Sequence, residues 1–195
     1  AAKDLESQKK ILPVVLQQTS RMENIVNDLL SLSRIELQEH IRPNEKVNLN
    51  DIISHSIELH QEILKKNNIE CQFERESKNV KINGDRNRLI EVFNNLIDNG
   101  IKYSEKNKKI TITTKSENKN FLVTIKDQGI GISKENIPQV TERFFRVDPA
   151  KSKEVGGTGL GLAIVKHIVN QHRAEMTISS EINKGTEISL NFPTI

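Results

Sequence analysis

The chain has one cysteine, one tyrosine and no tryptophan, and aromatics make up 4% of it. A single cysteine, Cys71, excludes an internal disulfide and a cysteine-built zinc cluster. Set in an apolar stretch, it reads as a small core residue rather than a reactive thiol. Scarce aromatics leave no stacking platform for nucleic acid, and a net charge of +3 spread along the chain leaves no basic stripe. No apolar run approaches the roughly 18–20 residues of a membrane span, and no signal peptide is visible. The sequence itself reads as cytoplasmic, with any membrane attachment expected from upstream segments. It begins Ala1-Ala2-Lys3 without an initiator methionine and reads as a fragment of something longer. What is present, 195 residues with 35% hydrophobic and 28% charged, suffices for one sizeable core with or without an appendage.

Residues 4–37 read as one long helix. Leu12, Val15, Thr19, Met22, Val26, Leu29 and Ser33 alternate three- and four-residue steps, the seam of a helical bundle. Ile11, Ile25 and Leu32 add a flanking stripe, so the helix needs partners. Pro13 removes a backbone donor and predicts a kink or restart near Lys9–Leu12. Arg42-Pro43-Asn44 marks a short linker. Beyond it, Asn50 or Asp51 is expected to cap a helix reaching about Lys66, and Asp85 a second one through Lys102. Ile69–Arg75 and Val80–Ile82 read as strands. Ile110–Lys115 and Phe121–Asp127 alternate as a hairpin, as do Met176–Ser180 and Thr186–Phe192 around Lys184-Gly185. A short helix is expected near Ser133–Ile137, and an amphipathic one over Leu160–Gln171. Helices alternating with antiparallel strand pairs predict an α+β fold, one mixed sheet with helices on one face.

Four local patterns carry chemistry. Asn95 and Asn99 lie four apart on a helix and share a face, with Lys102 a turn further. Amide oxygens suit a magnesium ion that keeps waters and phosphate oxygens as its other ligands, and Lys102 suits phosphate charge. The same spacing also fits a solvated polar face. Asp127-Gln128-Gly129-Ile130-Gly131 ends a strand. Its carboxylate can accept from an adenine amino group, and its glycines let the backbone approach a flat base; a plain β-turn fits it equally. Gly156-Gly157-Thr158-Gly159-Leu160-Gly161-Leu162 opens a helix, where unobstructed backbone N–H groups make an anion site. Residues 146–158 read as a mobile lid over it. Arg143-Phe144-Phe145-Arg146 lies between. Its phenylalanines fit plain core as well, and the separate roles of Arg143, Arg146, Lys153 and Thr158 stay open.

In this order, within about 70 residues, the four patterns resemble the N, G1, F and G2 boxes of the sensor histidine kinase ATP-binding domain. The resemblance covers residues 45–195, and the preceding helix fits the same family. It implies a Bergerat-type two-layer sandwich, ATP and magnesium as cofactors, and transfer of the γ-phosphate to a histidine for relay to a response regulator. The implied ATP-binding residues are Asn95, Asn99, Lys102, Tyr103, Asp127, Gly129, Gly131, Arg143, Phe145, Gly157, Thr158, Gly159, Leu160 and Gly161, with Asn99 and Asn95 on the metal. Residues 1–40 would be the second helix of a dimerisation hairpin, 41–46 a linker and 47–195 the catalytic domain. Partners would be a response-regulator receiver domain and a second copy of the chain. In the family the acceptor has a His-acidic-x-x-x-Pro context, which none of His40, His55, His60, His167 and His172 has. Hydrolases of the wider superfamily place a glutamate base four residues before the magnesium asparagine. Asn95 stands there instead, with Glu91 a turn back and expected off-site. The rival readings are a nucleotide-binding regulator without transfer and an ATP hydrolase. Gly100 departs from the family's usual alanine, and Thr141 from its usual large apolar residue.

Overall fold

Strands in the second half of the chain alternate apolar and polar residues because one face of their sheet is covered by helices. The computed structural model describes residues 2–78, 80–147 and 157–195, with side chains from residue 11 onward. Its elements are α1 (Ala2–Gln38), β1 (Lys46–Val47), α2 (Leu49–Leu59), α3 (Gln61–Lys66), β2 (Glu70–Glu74), β3 (Ile82–Asn83), α4 (Arg86–Tyr103), β4 (Lys109–Glu117), β5 (Asn120–Lys126), a 3-10 turn (Ile137–Gln139), α5 (Gly161–Gln171), β6 (Glu175–Glu181) and β7 (Gly185–Pro193). Five strands form one sheet in the order β2-β4-β5-β7-β6. β2 runs parallel to β4, and every other pair is antiparallel. The register sets Ile112 opposite Ile125, and Ile125 opposite Ile188, so one face is continuously apolar. Onto that face α4 brings Leu89, Val92, Phe93, Leu96 and Ile97, and α5 brings Ile164, Val165, Ile168 and Val169, all buried. This is the expected α+β sandwich.

Several details depart from the sequence reading. Asn48, not Asn50 or Asp51, caps α2: its Oδ1 accepts the Asn50 N–H at 2.9 Å. Asn50 is instead buried and accepts from Thr114 Oγ1 at 2.9 Å. The expected helix to Lys66 is two helices, broken at His60, whose ring is held by neighbouring groups. The strand expected at Val80–Ile82 is β3, two residues on, pairing with the unforeseen β1. The short helix expected near Ser133–Ile137 is the 3-10 turn at Ile137–Gln139, begun around Pro138. α1 runs through Pro13 without a restart. In a helix of 37 residues, one missing backbone bond is outweighed by those on either side.

Gly100 has a local reason. A Cβ there would lie 2.9 Å from Ile110 Cδ1, so the glycine lets α4 settle close on the sheet. Thr141 is half-buried and accepts from Lys166 Nζ at 3.4 Å. Cys71 is half-buried, and burial pushes its thiol up to about 11, which keeps it protonated and unreactive.

α1 has two distinct faces. Leu32 and Ile35 are buried against the domain. Below them Gln171 Nε2 donates to Gln38 O at 3.1 Å and Ile41 O at 3.2 Å. Arg42 donates to the Asn170 and Gln171 carbonyls at the negative end of α5. The predicted seam faces elsewhere: Leu12, Val15, Met22 and Val26 are each more than half exposed. Among the described residues no helix is long and apolar enough to cross a membrane.

Candidate nucleotide-binding site

A cavity of about 370 Å³ opens between α4, the start of α5 and the ends of β5 and β7. Its position follows from how α4 is set. Asp85 Oδ1 accepts the N–H groups of Asn87 at 2.9 Å and Arg88 at 3.1 Å, starting the helix where expected. Eighteen residues then carry Asn95, Asn99 and Lys102 along one edge to the cavity wall. Asn95 Nδ2 donates to the Glu91 carbonyl at 2.9 Å, which fixes the amide and turns Oδ1 outward. A Cβ on Gly161 would lie 2.7 Å from that Oδ1, so the bare glycine makes room for the oxygen at the first turn of α5.

Asp127 follows β5 at the cavity floor. Its Oδ1 accepts the Gly129 N–H at 2.8 Å and the Thr186 N–H at 3.0 Å. Burial raises its pKa, and these two bonds oppose the rise. Oδ1 is saturated, so Oδ2 is the oxygen left for a ligand. Gly131, at φ +70°, takes a conformation other residues rarely adopt, and a Cβ there would overlap the Glu181 carbonyl at 2.0 Å. Ile125, Ile132, Ile188 and Leu162 give the cavity an apolar side, while α4 and the glycine loop give it a polar one. A flat base and a polyanion need those two surfaces.

The expected residues divide. Asn95, Asn99, Lys102, Tyr103, Asp127, Gly131, Phe145, Gly157, Thr158, Gly159 and Gly161 line the cavity. Gly129 braces it from outside, against the Tyr103 carbonyl, which also accepts the Ile130 N–H at 3.1 Å. Leu160 is fully buried beneath the start of α5. The Arg143 guanidinium turns away to pair with Glu36 on α1. Arg146 lines the cavity and donates to the Gly157 carbonyl. Phe144 is exposed at φ +63°, its N–H bonded to the Gly159 carbonyl at 2.8 Å. Gly156, Lys153 and most of the expected lid fall within 148–156, outside the described residues.

Other lining residues were not foreseen. Asn24, Asn27 and Asp28 of α1 form one wall. Burial raises the Asp28 carboxyl, opposed by the Thr158 hydroxyl; Glu91 adds to the rise and Lys102 lowers it. The signal was a polar stripe at helical spacing beside the apolar seam, but nothing local told which surface it would meet. Glu91 itself is engaged: Ser31 Oγ donates to its Oε1 at 2.6 Å and Arg88 to its Oε2 at 3.0 Å. It ties α4 to α1, off-site as expected.

Residues 84–195 match the family described as Histidine kinase-, DNA gyrase B-, and HSP90-like ATPase. The sensor-like histidine kinase SenX3 of Mycobacterium tuberculosis is 32% identical over all 195 residues, which are 47% of its length. The chain thus spans about half the length of the curated relatives it matches. The solved mycobacterial sensor histidine kinase MprB superposes with a TM-score of 0.66 at 27% identity, covering 77% of this chain and 97% of that one. Histidine kinase ThkA in complex with response regulator protein TrrA gives 0.73 at 25% identity, over 97% of this chain and 52% of that one. With the four motifs gathered around one cavity, the match over residues 84–195 makes the chain a member of the histidine kinase-, DNA gyrase B- and HSP90-like ATPase family.

Proposed function

We propose that this chain is the ATP-binding catalytic core of a two-component sensor kinase, passing the γ-phosphoryl group to a histidine outside it. Residues 1–40 act as the second helix of a dimerisation hairpin, 41–46 as the linker and 47–195 as the catalytic domain. The carrying observation is that the amide–lysine edge of α4, the Asp127 carboxylate and the glycine loop all face one cavity. Asp127 Oδ2 accepts from the adenine amino group. The apolar side takes the base, and Lys102 and the N–H groups opening α5 take the phosphates. Asn99 and Asn95 offer amide oxygens to magnesium, and the turned-out Asn95 Oδ1 fits that duty. Bound magnesium would neutralise phosphate charge, the main requirement of phosphoryl transfer. Hydrolysis is disfavoured because the base position holds Asn95, an amide, and Glu91 is held by Ser31 and Arg88. ThkA, solved with a response regulator, supports a receiver domain as the onward partner. The proposed use of ATP supports a position on the cytoplasmic side. Labelled ATP with a supplied acceptor helix separates the readings: label on histidine for transfer, free phosphate for hydrolysis, binding alone for a regulator.

Replacing Asn99 tests the metal assignment. In Asn99→Ala the magnesium-dependent part of ATP affinity should fall by about tenfold or more, the usual scale for losing a metal-site contact. Calorimetric titration with and without magnesium reads it. An unchanged metal enhancement would rule Asn99 out as a ligand.

The exposed seam of α1 supports pairing with a second copy, because an apolar stripe of this length favours a helical partner. Val26→Asp would bury a charge in that pairing and should shift sedimentation from dimer toward monomer. A parent chain that remains monomeric at high micromolar concentration is the adverse result.

A further inference from the structure

His60 lies outside the cavity, yet it shares a carboxylate with the cavity's lysine. The chain breaks between α2 and α3 at this residue, with φ −98° and ψ 0°. The break brings its ring against α4. Nδ1 lies 2.7 Å from the Ser56 carbonyl oxygen, and Nε2 lies 3.3 Å from Asp98 Oδ1. A carbonyl and a carboxylate only accept, so both ring nitrogens are placed to donate, and the imidazolium is the form that satisfies both. His172 is the contrast. Its Nδ1 lies 2.7 Å from the Ile168 carbonyl, and its Nε2 accepts the Asp85 N–H at 3.0 Å, the pattern of a neutral ring. The titration tendencies agree. The Asp98 hydrogen bond raises His60 against its burial, while burial depresses His172. Among the described residues the charged groups acting on His60 are Asp98 and Lys102, both from α4.

Asp98 is therefore bracketed. Its Oδ1 faces His60, and its Oδ2 lies 3.4 Å from Lys102 Nζ. Burial pushes its carboxyl up, but His60 and Lys102 together hold it below its ordinary range. Lys102 and Asp98 both line the cavity; His60 does not, and its side chain is 11% exposed.

We infer that His60 is a positioning residue: through the carboxylate it shares with Lys102, it governs how freely Lys102 meets nucleotide phosphates, so that nucleotide affinity is linked to a proton on His60. The inference rests on the ATP site proposed above. With the imidazolium in place, Asp98 keeps a cationic partner when Lys102 turns to the phosphates. Once the ring is neutral, Nδ1 keeps its proton on the Ser56 carbonyl, and Nε2 turns a lone pair toward the carboxylate. Asp98 then has Lys102 as its remaining cation and holds it back. Affinity for phosphates should be highest with His60 protonated and fall as pH rises through its titration. Because the folded ring holds its proton more tightly than a free one, that window lies above the ordinary 6.5. By reciprocity, bound ATP must raise the His60 pKa.

The test is calorimetric titration of the whole chain with magnesium and ATP from about pH 6 to about pH 9, beside His60→Gln, which keeps a donor but has no titrating charge. The nucleotide's own titration is common to both and cancels in their ratio. Across the window the parent should lose about three- to tenfold more affinity than the variant, the scale of a typical coupling. Adenosine, which has no phosphates, should show no such difference. Asp98→Asn should flatten the same component from the other side of the couple. Proton NMR of the parent alone should show the His60 ring titrating at higher pH with ATP bound. Parallel profiles for parent and His60→Gln, or a His60 pKa unmoved by ATP, would overturn the inference while leaving the ATP site standing. An adenosine affinity that shifts as much as that for ATP would also overturn it, since the effect would then be general structural damage. A parent that binds no ATP at any pH would overturn the site itself.

Discussion

Incubated with labelled ATP, this chain alone should acquire no acid-labile phosphate, whereas the same chain joined at residue 1 to an acceptor helix should be labelled on histidine. Transfer needs the nucleophile in line with the γ-phosphate at near-contact distance. None of the five histidines meets that need. His40 is exposed beyond the end of α1. His55 lies on α2, and His60 is held by Ser56 and Asp98. His167 on α5 sits between Glu36 at 3.4 Å and Glu39 at 3.3 Å. His172 is 4% exposed with both ring nitrogens engaged. No histidine lines the cavity as described. Supplying the helix in cis raises its effective concentration to roughly millimolar, so a weak encounter suffices. Acid treatment after the incubation is decisive, because phosphohistidine is acid-labile. An unlabelled hairpin would defeat the kinase reading, and acid-labile label on the chain alone would overturn the placement of the acceptor outside it; free phosphate released by the chain alone would favour the hydrolase.

Asp127→Asn should weaken ATP binding by about 10- to 150-fold, the equivalent of about 1.5–3 kcal/mol for a hydrogen bond to a charged group. The structure fixes how the new amide must sit. Two backbone N–H groups, from Gly129 and Thr186, point at one oxygen of the native carboxylate. An NH₂ placed there would meet two donors, so the asparagine must put its carbonyl oxygen in that place. Its NH₂ then takes the position of Oδ2 and confronts the adenine amino group, donor against donor. The fold should survive, since both N–H groups keep their acceptor. Guanine presents an acceptor where adenine presents its amino group, so the preference for ATP over GTP should narrow as well. Competition binding in parent and variant measures both effects. An unchanged preference would remove Asp127 from the role of base reader.

The glycines offer a second view of the same floor. Their sequence pattern fitted an ordinary turn as well as a nucleotide loop. In the structure Gly131 has a positive φ against the Glu181 carbonyl, and Gly159 has one against the backbone of Phe144. The contacts that require glycine come from β6 and from the segment before α5. Glu181 lies 50 residues beyond Gly131, and Phe144 lies 15 residues before Gly159.

What the sequence determined by itself was whatever depends on spacing along one element. Helical period put Asn95, Asn99 and Lys102 on one edge of α4, and the capping chemistry of Asp85 started that helix where expected. Period-two alternation marked β4, β5 and β7 and their buried face. The order of four motifs marked the nucleotide site. These features are legible because the groups that create them lie within a turn or a strand of one another. Tertiary structure decided the rest. It brought the Thr186 N–H onto Asp127 across the β5–β7 ladder, and it turned Arg143 to Glu36 instead of the cavity. It laid the polar stripe of α1 against the glycine loop, and it broke a predicted helix at His60, whose ring bonds Asp98 on α4. Each of these couples groups dozens of residues apart through sheet register or helix packing. No short-range periodicity encodes which distant surface a side chain will meet.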